Sequence, residues 1–379
     1  MQKIILLALS MVAIGCTSQK PEKGTEIPLI TLTTFEIFFG VDDGILSRPM
    51  ITKYLGGDRL LVYDMSLKKV MIIDEGKVTD HEIGRHGRGP GEFQYISALY
   101  INNDKLQIVD IAQRLIHRYT LNGGFLGSSD TGVNQSVSYP PLPPLPSELI
   151  SNLDSGFYSN ITNQPHVLHN GSVLIPADRN TGVLYQMVDL NGDVTREFGE
   201  IPDESSFTLD YNEIRQSITN ETIPPILRPN SFLVNDRVTD DEIYIVYNSI
   251  GELAKYNLTS GQKLWSKSIP MTEETEKLTQ DYFNAMNGLL KLADGMSVHS
   301  TYLAGVSGPN EELYLLMYNF ADKQMWIHKF NRTGELVMRY RFTSEVTLLP
   351  VFDIDFEGQR FFVLTEESEI RTYTFWELE

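Results

Sequence analysis

The chain has 379 residues, 41% of them hydrophobic, which is a globular composition with ample length for a large core. Its formal net charge of −19 argues against a general nucleic-acid binder, because such proteins need a basic surface. The single cysteine cannot form an internal disulfide, so a hydrophobic core must supply the stability.

The N-terminal segment has the features of a lipoprotein signal. Lys3 precedes the apolar run Ile4 to Ile14, which is too short to span a bilayer as a mature helix. Ala13-Ile14-Gly15-Cys16 then resembles a bacterial lipobox, in which small residues precede the cysteine that becomes acylated. We therefore predict a signal peptide over residues 1–15 and lipidation of Cys16.

Residues 16–25 are polar and contain Pro21 and Gly24, as a short tether should. Thr17 rather than Asp follows the cysteine, which resembles outer-membrane sorting in Gram-negative bacteria. The predicted location is the cell envelope, with the membrane as a partner through the lipid anchor. Residues 26–379 are predicted to form one domain.

A short β-rich unit recurs six times along that domain. Turn residues lead each time into β-branched, aromatic or leucine-rich residues, which is typical of a hairpin. The copies are Asp58–Asp64, Asp104–Asp110, Asn170–Ile175, Asp241–Val246, Asn310–Leu315 and Gly358–Val363. A strand that ends in a glycine turn follows each of the first five copies, at Gly76, Gly123, Gly192, Gly261 and Gly334.

The spacing of these glycines predicts a propeller with insertions. The first interval of 47 residues fits a four-stranded blade, for which about 40–50 residues is usual. The later intervals of 69, 69 and 73 residues imply insertions of roughly two dozen residues. They are found at Tyr139–Pro146, Phe207–Pro229 and Thr272–Leu292.

The predicted fold is therefore all-β, a six-bladed β-propeller of four-stranded blades. A short helical insertion is expected near residues 272–292, because the segment is rich in helix formers and Thr272 can cap its start. A circular array must join its ends, so Ile27–Phe39 is predicted to pair with the last blade, near Phe361–Trp376. An open sandwich of six hairpins would not need the common period.

The segment 83–93, IGRHGRGPGEF, concentrates glycine and basic residues. It is not a P-loop, which needs GxxxxGK followed by Ser or Thr, and no helix follows it as in a dinucleotide-binding loop. Pro90 also interrupts the run of backbone N–H donors. A structural corner between blades is favoured, and the alternative is an anion site formed by Arg85, His86 and Arg88.

The region from Ile83 to Gly123 resembles the NHL/TolB-like six-bladed propellers, especially a set of lipoproteins from Bacteroidetes. The resemblance lies in Gly84, Gly87, Gly89-Pro90-Gly91-Glu92-Phe93, Ile108-Val109-Asp110 and Arg114-Leu115-Ile116. In that family a glycine-rich corner leads into the next blade, and an aspartate ends the second strand. The resemblance implies the fold and an envelope location, and it carries no catalytic residues.

Signals for catalysis, metals and cofactors are weak. His166 and His169 have HxxH spacing, but positions three apart on a strand point to opposite faces, which disfavours shared metal ligation. No GxSxG motif occurs, and acylation would consume the only cysteine. We therefore predict no catalytic residues, no metal and no cofactor.

Four residues near the starts of inner strands are candidates for ligand binding. Arg48-Pro49 and Arg228-Pro229 precede inner strands of blades one and four, which face each other across a six-fold ring. The two arginines could clamp an anionic ligand, or they could be solvated loop residues. Tyr95 and Tyr302 could stack a sugar, or they could only pack.

The function favoured by these observations is a non-enzymatic binding module that uses the central funnel of an envelope-anchored propeller. Its ligand or partner could be a protein or a glycan, and a nucleic acid is not expected. The alternative is a carbohydrate-active enzyme, a polysaccharide lyase or hydrolase, with acidic and aromatic residues at the funnel.

Overall fold

The computed structural model describes residues 27–40, 42, 46–102, 105–131, 165–168, 172–177, 181–189, 193–208, 210–239, 241–291 and 300–375. Within that part the structure is mainly β-strand, with two α-helices and a turn of 3-10 helix at Pro225–Leu227. Cys16, Tyr139–Pro146 and His169 lie outside the described residues.

Two short strands come first, followed by four sheets of four antiparallel strands in chain order. The first strands are β1 (Leu29–Leu32) and β2 (Glu36–Phe39). Blade 1 comprises β3 (Pro49–Gly56), β4 (Arg59–Asp64), β5 (Lys69–Asp74) and β6 (Lys77–Ile83). A small parallel pair, β7 (Arg85–His86) and β8 (Glu92–Phe93), leads to the next blade. Blade 2 comprises β9 (Ile96–Asn102), β10 (Lys105–Asp110), β11 (Leu115–Thr120) and β12 (Phe125–Asp130).

The third and fourth blades have the same order of strands. Blade 3 comprises β13 (His166–Val167), β14 (Val173–Pro176), β15 (Val183–Val188) and β16 (Val194–Glu200). Helix α1 (Tyr211–Thr219) lies in the connection that follows. Blade 4 comprises β17 (Ser231–Asn235), β18 (Glu242–Tyr247), β19 (Glu252–Asn257) and β20 (Lys263–Ser268), and helix α2 (Glu273–Lys291) follows it.

The last two blades each take a strand from the N-terminal stretch. Blade 5 comprises β21 (Ala304–Ser307), β22 (Leu313–Asn319), β23 (Gln324–Phe330) and β24 (Leu336–Phe342), and β1 pairs in parallel with β24. Blade 6 comprises β25 (Leu348–Asp355), β26 (Arg360–Thr365) and β27 (Ile370–Thr374), and its outer strand is β2, antiparallel to β27. The predicted closure is confirmed, whereas the sequence did not indicate the fifth strand of blade 5.

Hydrophobic clusters fill the interfaces between neighbouring blades in the described part of the chain. Leu61 and Tyr63 of β4 pack toward blade 2, while Leu60 and Val62 pack toward Phe362 of blade 6. Successive side chains of a strand point to opposite faces, and each face of β4 lies against a neighbouring blade, so both faces are apolar. Similar clusters join blades 2 and 3, 3 and 4, 4 and 5, and 5 and 6. The sheets therefore close into the predicted six-bladed β-propeller.

An aspartate at the end of the second strand fastens the loop that enters the same blade. In blade 1, Asp64 Oδ2 accepts hydrogen bonds from the backbone N–H groups of Ser47 at 2.6 Å and Arg48 at 2.9 Å. In blade 2, Asp110 Oδ2 accepts one from Gln94 N at 2.5 Å. The buried carboxylate thus satisfies loop donors that no strand pairs, which gives the aspartate of the sequence pattern a structural role.

The glycine turn between the third and outer strands is also a contact with the preceding blade. Gly76 has φ +77°, and a Cβ there would lie 2.5 Å from Phe38 O of β2. Gly334, also at φ +77°, would place a Cβ 2.5 Å from the Trp265 ring of blade 4. Each position therefore requires glycine for two reasons, the left-handed backbone conformation and the close approach of neighbouring blades.

The two insertions that the structure describes emerge on one face of the ring. Four antiparallel strands return the chain to the end where the inner strand begins, so the described connections from an outer strand to the next inner strand lie on that side, here called the start face. The helices α1 and α2 lie in two such connections and pack through Ile214, Ile218, Phe283 and Met286. The opposite side, where the inner strands end, is the end face.

Helix α2 confirms the predicted helical insertion. It begins after Thr272, whose Oγ1 accepts from Thr275 N at 3.4 Å while Thr275 Oγ1 accepts from Thr272 N at 2.8 Å. The sequence did not predict α1, although Asp210 caps it by accepting from Asn212 N and Glu213 N. No described helix has the length and apolar composition needed to cross a bilayer.

Candidate functional site

A cavity of about 550 Å³ lies at the centre of the ring. Its wall includes residues from the inner strands of all six blades, at 50–54, 97–101, 166, 232–235, 304–307 and 350–353. This cavity, here called the channel, has the volume of a typical small-molecule site, about 300–1,000 Å³. Because every blade contributes to it, its chemistry depends on residues far apart in the sequence.

Two cations and one anion lie together in the channel, on the side of the end face. Arg237 follows the inner strand of blade 4, and its Nη2 is 3.5 Å from Asp353 Oδ1 of blade 6. The arginine side chain is 41% exposed, and its guanidinium also lies 5.6 Å from the centre of the Phe356 ring. Asp353 is buried and accepts hydrogen bonds from Tyr54 N at 2.8 Å and Ile354 N at 2.9 Å.

Lys53 is the second cation. It lies on the inner strand of blade 1, lines the channel and is half-buried. Among the described residues its ammonium makes no hydrogen bond or ion pair. Burial lowers the pKa of Lys53, and the positive charge of Arg237 acts in the same direction, while Asp353 opposes the shift. The channel therefore holds a desolvated ammonium to which no counterion of the described chain is bonded.

A neutral polar group lines another part of the wall. His166 Nε2 lies 2.6 Å from Asn235 Oδ1, and His166 Nδ1 lies 3.2 Å from the Tyr100 hydroxyl. Since the amide oxygen only accepts, Nε2 carries the proton and Nδ1 accepts from Tyr100. Burial raises the pKa of Tyr100, so its hydroxyl stays a donor at neutral pH.

The residues predicted for ligand binding lie near the start face, and none of the four is part of the channel wall. Arg228 Nε donates to Asp203 O at 2.7 Å, and its Nη1 is 3.7 Å from Glu204 Oε2. Tyr302 is fully buried, with its hydroxyl 2.8 Å from His328 Nδ1.

The other two of these residues are held by the loop fastening described above. Arg48 N donates to Asp64, and Tyr95 N donates to Asp110 at 3.2 Å. The ligand-binding role of these four residues stays a prediction.

The glycine-rich corner contains its own anion. Glu92 Oε1 accepts from Arg85 Nε at 2.6 Å, and its Oε2 accepts from Gly89 N at 2.7 Å. The backbone N–H of Gly89 and the Arg85 guanidinium lower the pKa of Glu92. His86 and Arg88 are exposed. The corner thus places a carboxylate where the predicted site of Arg85, His86 and Arg88 would hold a bound anion, and external anion binding there stays a prediction.

A cluster of three carboxylates lies between blades 4 and 5. Asp236, Glu242 and Glu311 lie close enough together to surround a cation. Lys255 Nζ takes that place, at 2.8, 2.6 and 2.9 Å from their oxygens. Burial would lower the pKa of Lys255, but the three carboxylates outweigh it and raise that pKa. The ammonium is therefore the cation of this cluster.

A second buried network joins the α2 insertion to blade 5. Glu274 Oε1 lies 2.9 Å from His328 Nε2, and Glu274 Oε2 lies 3.0 Å from Arg339 Nη1. Burial opposes ionisation, but His328 and other donors lower the pKa of Glu274 to about 2. Burial also lowers the pKa of His328. The histidine is therefore neutral, donating through Nε2 to the carboxylate and accepting at Nδ1 from Tyr302.

Ser128, His117 and Asp110 of blade 2 lie in a row, with the histidine between the serine and the aspartate. His117 Nδ1 is 2.8 Å from the hydroxyl of Ser128, but His117 Nε2 is 3.9 Å from Asp110 Oδ2, beyond hydrogen-bond distance. Asp110 holds its loop, and despite burial the neighbouring His117 and the hydrogen bonds from Gln94 and Gln113 lower the pKa of Asp110 to about 2. The line lacks the histidine–aspartate bond of a nucleophilic triad.

The charged residues of the channel were not predicted from the sequence. One signal was present, since Lys53 interrupts the strand Met50-Ile51-Thr52-Lys53-Tyr54, where a charge is unusual. Asp353 stands in a similar apolar run, Val351-Phe352-Asp353-Ile354. Arg237 gave no signal of its own, because it lies in a polar hairpin loop.

Comparison with known proteins agrees with the fold. The protein family DUF5128, described as a 6-bladed beta-propeller, matches residues 41–140, a region that contains blades 1 and 2. No curated protein matches the chain. The fold assignment rests on the closed ring of sheets and on this family match.

Several solved structures are similar at low identity. A Bacteroides fragilis protein described as exported is 12% identical, covering 92% of this chain and 100% of its own, with a TM-score of 0.49. A DUF4221 member from Bacteroides vulgatus is 11% identical, covering 91% and 97%, with a TM-score of 0.45. A gluconolactonase from Xanthomonas campestris is 10% identical, covering 89% and 87%, with a TM-score of 0.45.

Proposed function

We propose that this protein is a binding module of the cell envelope that holds a small ligand in its central channel. The observation that carries the proposal is a cavity of about 550 Å³ that all six inner strands line and that contains a cation to which no counterion among the described residues is bonded. Structural ion pairs elsewhere are satisfied within the protein, so an unsatisfied charge in a concave site indicates a ligand.

The wall of the channel suits a ligand of mixed character. Half-buried apolar side chains such as Met50, Ile101 and Val351 leave surface that a ligand could cover. Polar groups converge from different blades, including Lys53 and His166. A few placed polar groups on an apolar wall are typical of sites that bind and orient a small molecule.

The lipobox-like sequence supports the envelope part of the proposal. The described chain enters the ring at Ile27, whose carbonyl accepts from Arg339 Nη2 at 3.0 Å on the edge of blade 5. A ten-residue tether from Cys16 would reach at most about 35 Å from that edge. Metabolic palmitate labelling tests the anchor: label should enter the wild type and be lost in Cys16→Ser, and label that persists in the variant contradicts it.

The enzymatic alternative needs an acid–base pair in the same channel. Tyr100 is held in its protonated form, and each oxygen of Asp353 already accepts a backbone hydrogen bond. Neither is poised to take a proton from a substrate. The described residues therefore favour binding over turnover of a glycan.

A ligand screen with a blocked channel tests the proposal. Small metabolites and oligosaccharides that raise the melting temperature of the wild type should lose this effect in Ala304→Trp, which places an indole in the channel wall. Val194→Trp, on the exposed outer strand of blade 3, is the control and should respond like the wild type. A ligand at a hundred times its Kd stabilises by about 2.7 kcal/mol, a measurable shift.

Two results would contradict the binding proposal. The first is an equal ligand response in Ala304→Trp and the wild type, with Ala98→Phe as a second blocking variant if the first does not fold. The second is turnover of an oligosaccharide that Asp353→Asn abolishes, which would establish the enzyme instead.

A further inference from the structure

We propose that the ligand of the channel is a monocarboxylate whose charged group binds between Lys53 and Arg237. This inference rests on the proposed function and deepens it by naming the chemical class of the ligand. It is carried by the chemistry of the two cations, by the charge balance of the site and by the apolar wall beside it.

The ammonium of Lys53 lacks the hydration that it would have in water. An ammonium that is partly removed from water loses hydration, and the loss is recovered only if an anion or acceptors replace that water. Within the described residues no such group bonds to Lys53. An anionic ligand in the channel would supply it, and its binding would raise the pKa of Lys53 toward the ordinary value.

Arg237 is the other cation of the site. Its ion pair to Asp353, the one it makes within the described part of the chain, is long at 3.5 Å, and the side chain is 41% exposed. A guanidinium has five N–H donors in a planar fork, so this contact leaves donors for a second carboxylate. Asp353 does not depend on the arginine, because Tyr54 N and Ile354 N already hold its two oxygens. A ligand carboxylate can therefore bind Arg237 without leaving a buried charge unpaired.

The net charge of the site favours a ligand with a single negative charge. Lys53 and Arg237 together with Asp353 give the site a net charge of +1, which a monoanion neutralises. A phosphate or dicarboxylate dianion would leave a negative excess beside Asp353, in a chain whose formal charge is already −19. Like charges at close range in a partly desolvated site are unfavourable.

The rest of the channel wall favours a ligand whose carboxylate carries an apolar chain. Half-buried side chains of Met50, Ile101, Leu233 and Val351 line it, and each belongs to a different blade. An aliphatic chain attached to the carboxylate would cover this surface. Each additional buried methylene should raise the affinity about fourfold until the channel is filled.

Calorimetric titration of the full chain tests the inference with defined probes, namely acetate, butyrate, hexanoate, 1-hexanol and inorganic phosphate. Hexanoate should bind most tightly, acetate at least tenfold more weakly, and 1-hexanol and phosphate at least tenfold more weakly than hexanoate. Lys53→Met and Arg237→Met should each weaken hexanoate binding at least tenfold, whereas Lys53→Arg should keep most of it. Arg332→Met, which removes an exposed cation in the turn between β23 and β24, should change nothing.

Equal binding of hexanoate and 1-hexanol, or hexanoate binding that Lys53→Met and Arg237→Met leave unchanged, would overturn the inference. The channel would still be the binding site if another ligand from the screen loses its effect in Ala304→Trp. Hexanoate that binds equally to the wild type and Ala304→Trp would overturn the inference, because it would then bind outside the channel. The proposed function would fall as well only if every ligand of the screen responded equally in the two proteins. A melting curve for each variant separates lost binding from lost folding.

Discussion

The charged residues that support the ring have bonded partners, whereas in the described part of the chain Lys53 on the wall of the channel does not. Outside the channel, Glu274 of α2 contacts His328 and Arg339 of blade 5, Glu92 contacts Arg85, and Asp110 accepts from the backbone of its own loop. In the channel Lys53 has no bonded partner within the described residues. Stability needs the first arrangement, whereas the second weakens the isolated protein and suits it to bind.

This contrast separates residues that hold the ring together from residues that face a ligand. A buried charge that loses its only partner is strongly destabilising, and a charge that never had a partner can be removed at little loss. Substitutions of the partnered charges outside the channel should therefore reduce the free energy of unfolding. Substitutions in the channel should change binding instead.

The largest expected loss is at Glu274. Glu274→Gln removes the carboxylate that Arg339 and His328 share in a buried site, so we expect the free energy of unfolding to fall by about 3–5 kcal/mol at pH 7. Denaturant unfolding measures it. Glu276→Gln, on the exposed side of the same helical turn, is the matched control and should remain within about 0.5 kcal/mol of the wild type.

The loss of stability in Glu274→Gln should also depend on pH. The pKa of Glu274 is about 2 in the folded protein and about 4.3 in an unfolded chain. Its stabilising contribution is therefore complete above about pH 4.3 and disappears as the pH falls toward 2. The lowered pKa of His328 reduces the stability of both proteins as the pH falls below about 6.5, because the unfolded state gains a proton first, so the difference between them reports Glu274. The difference between wild type and Glu274→Gln should shrink between pH 7 and pH 3, and a constant difference would contradict the assignment.

The next largest effect is expected at the glycine turn that closes the ring. Gly76→Ala combines a left-handed backbone conformation with a contact at 2.5 Å from Phe38 O, so we expect a loss of about 2–4 kcal/mol. Gly251 has φ +64° but nothing within 4 Å of an added Cβ. Gly251→Ala should therefore lose only about 1–2 kcal/mol, from backbone strain. Equal losses in denaturant unfolding would show that the contact between blades 1 and 6 does not matter.

A smaller effect is expected at the glycine-rich corner. Glu92→Gln removes the internal anion beside Arg85 and Gly89 N, and the melting temperature should fall by less than in Gly76→Ala. Added sulfate should restore part of the loss in the variant and leave the wild type unchanged, since the variant exposes an anion site that Glu92 fills. A wild type that responds to sulfate, and loses the response when Arg85, His86 and Arg88 are substituted together, would instead support external anion binding at the corner.

The fold could be predicted because it repeats. Copies such as Asp58–Asp64 and Asp241–Val246 each become the second strand of a blade, and the described glycine turns lie where a blade contacts its neighbour. Closure followed from the need of a circular array to pair its ends. The parallel strand β1 could not be foreseen, because Leu29–Leu32 has the same composition as any edge strand. Helix α1 was missed because its nine residues lie among prolines and polar residues.

The candidate site could not be predicted to the same extent. Lys53, Arg237 and Asp353 belong to blades 1, 4 and 6, and only closure of the ring brings them together. The arginines and tyrosines predicted for the site stand at the starts of inner strands, whereas the charged group lies toward their ends. A lysine inside an apolar strand was the visible signal, and it identifies a residue without identifying its neighbours.

The most direct test of the account is a joint measurement on Lys53→Met. If the channel is built for a ligand, removal of this desolvated charge should leave the free energy of unfolding unchanged or raise it, while hexanoate binding weakens at least tenfold. A variant that is clearly less stable than the wild type, with hexanoate affinity intact, would show that Lys53 serves the fold and would contradict the account.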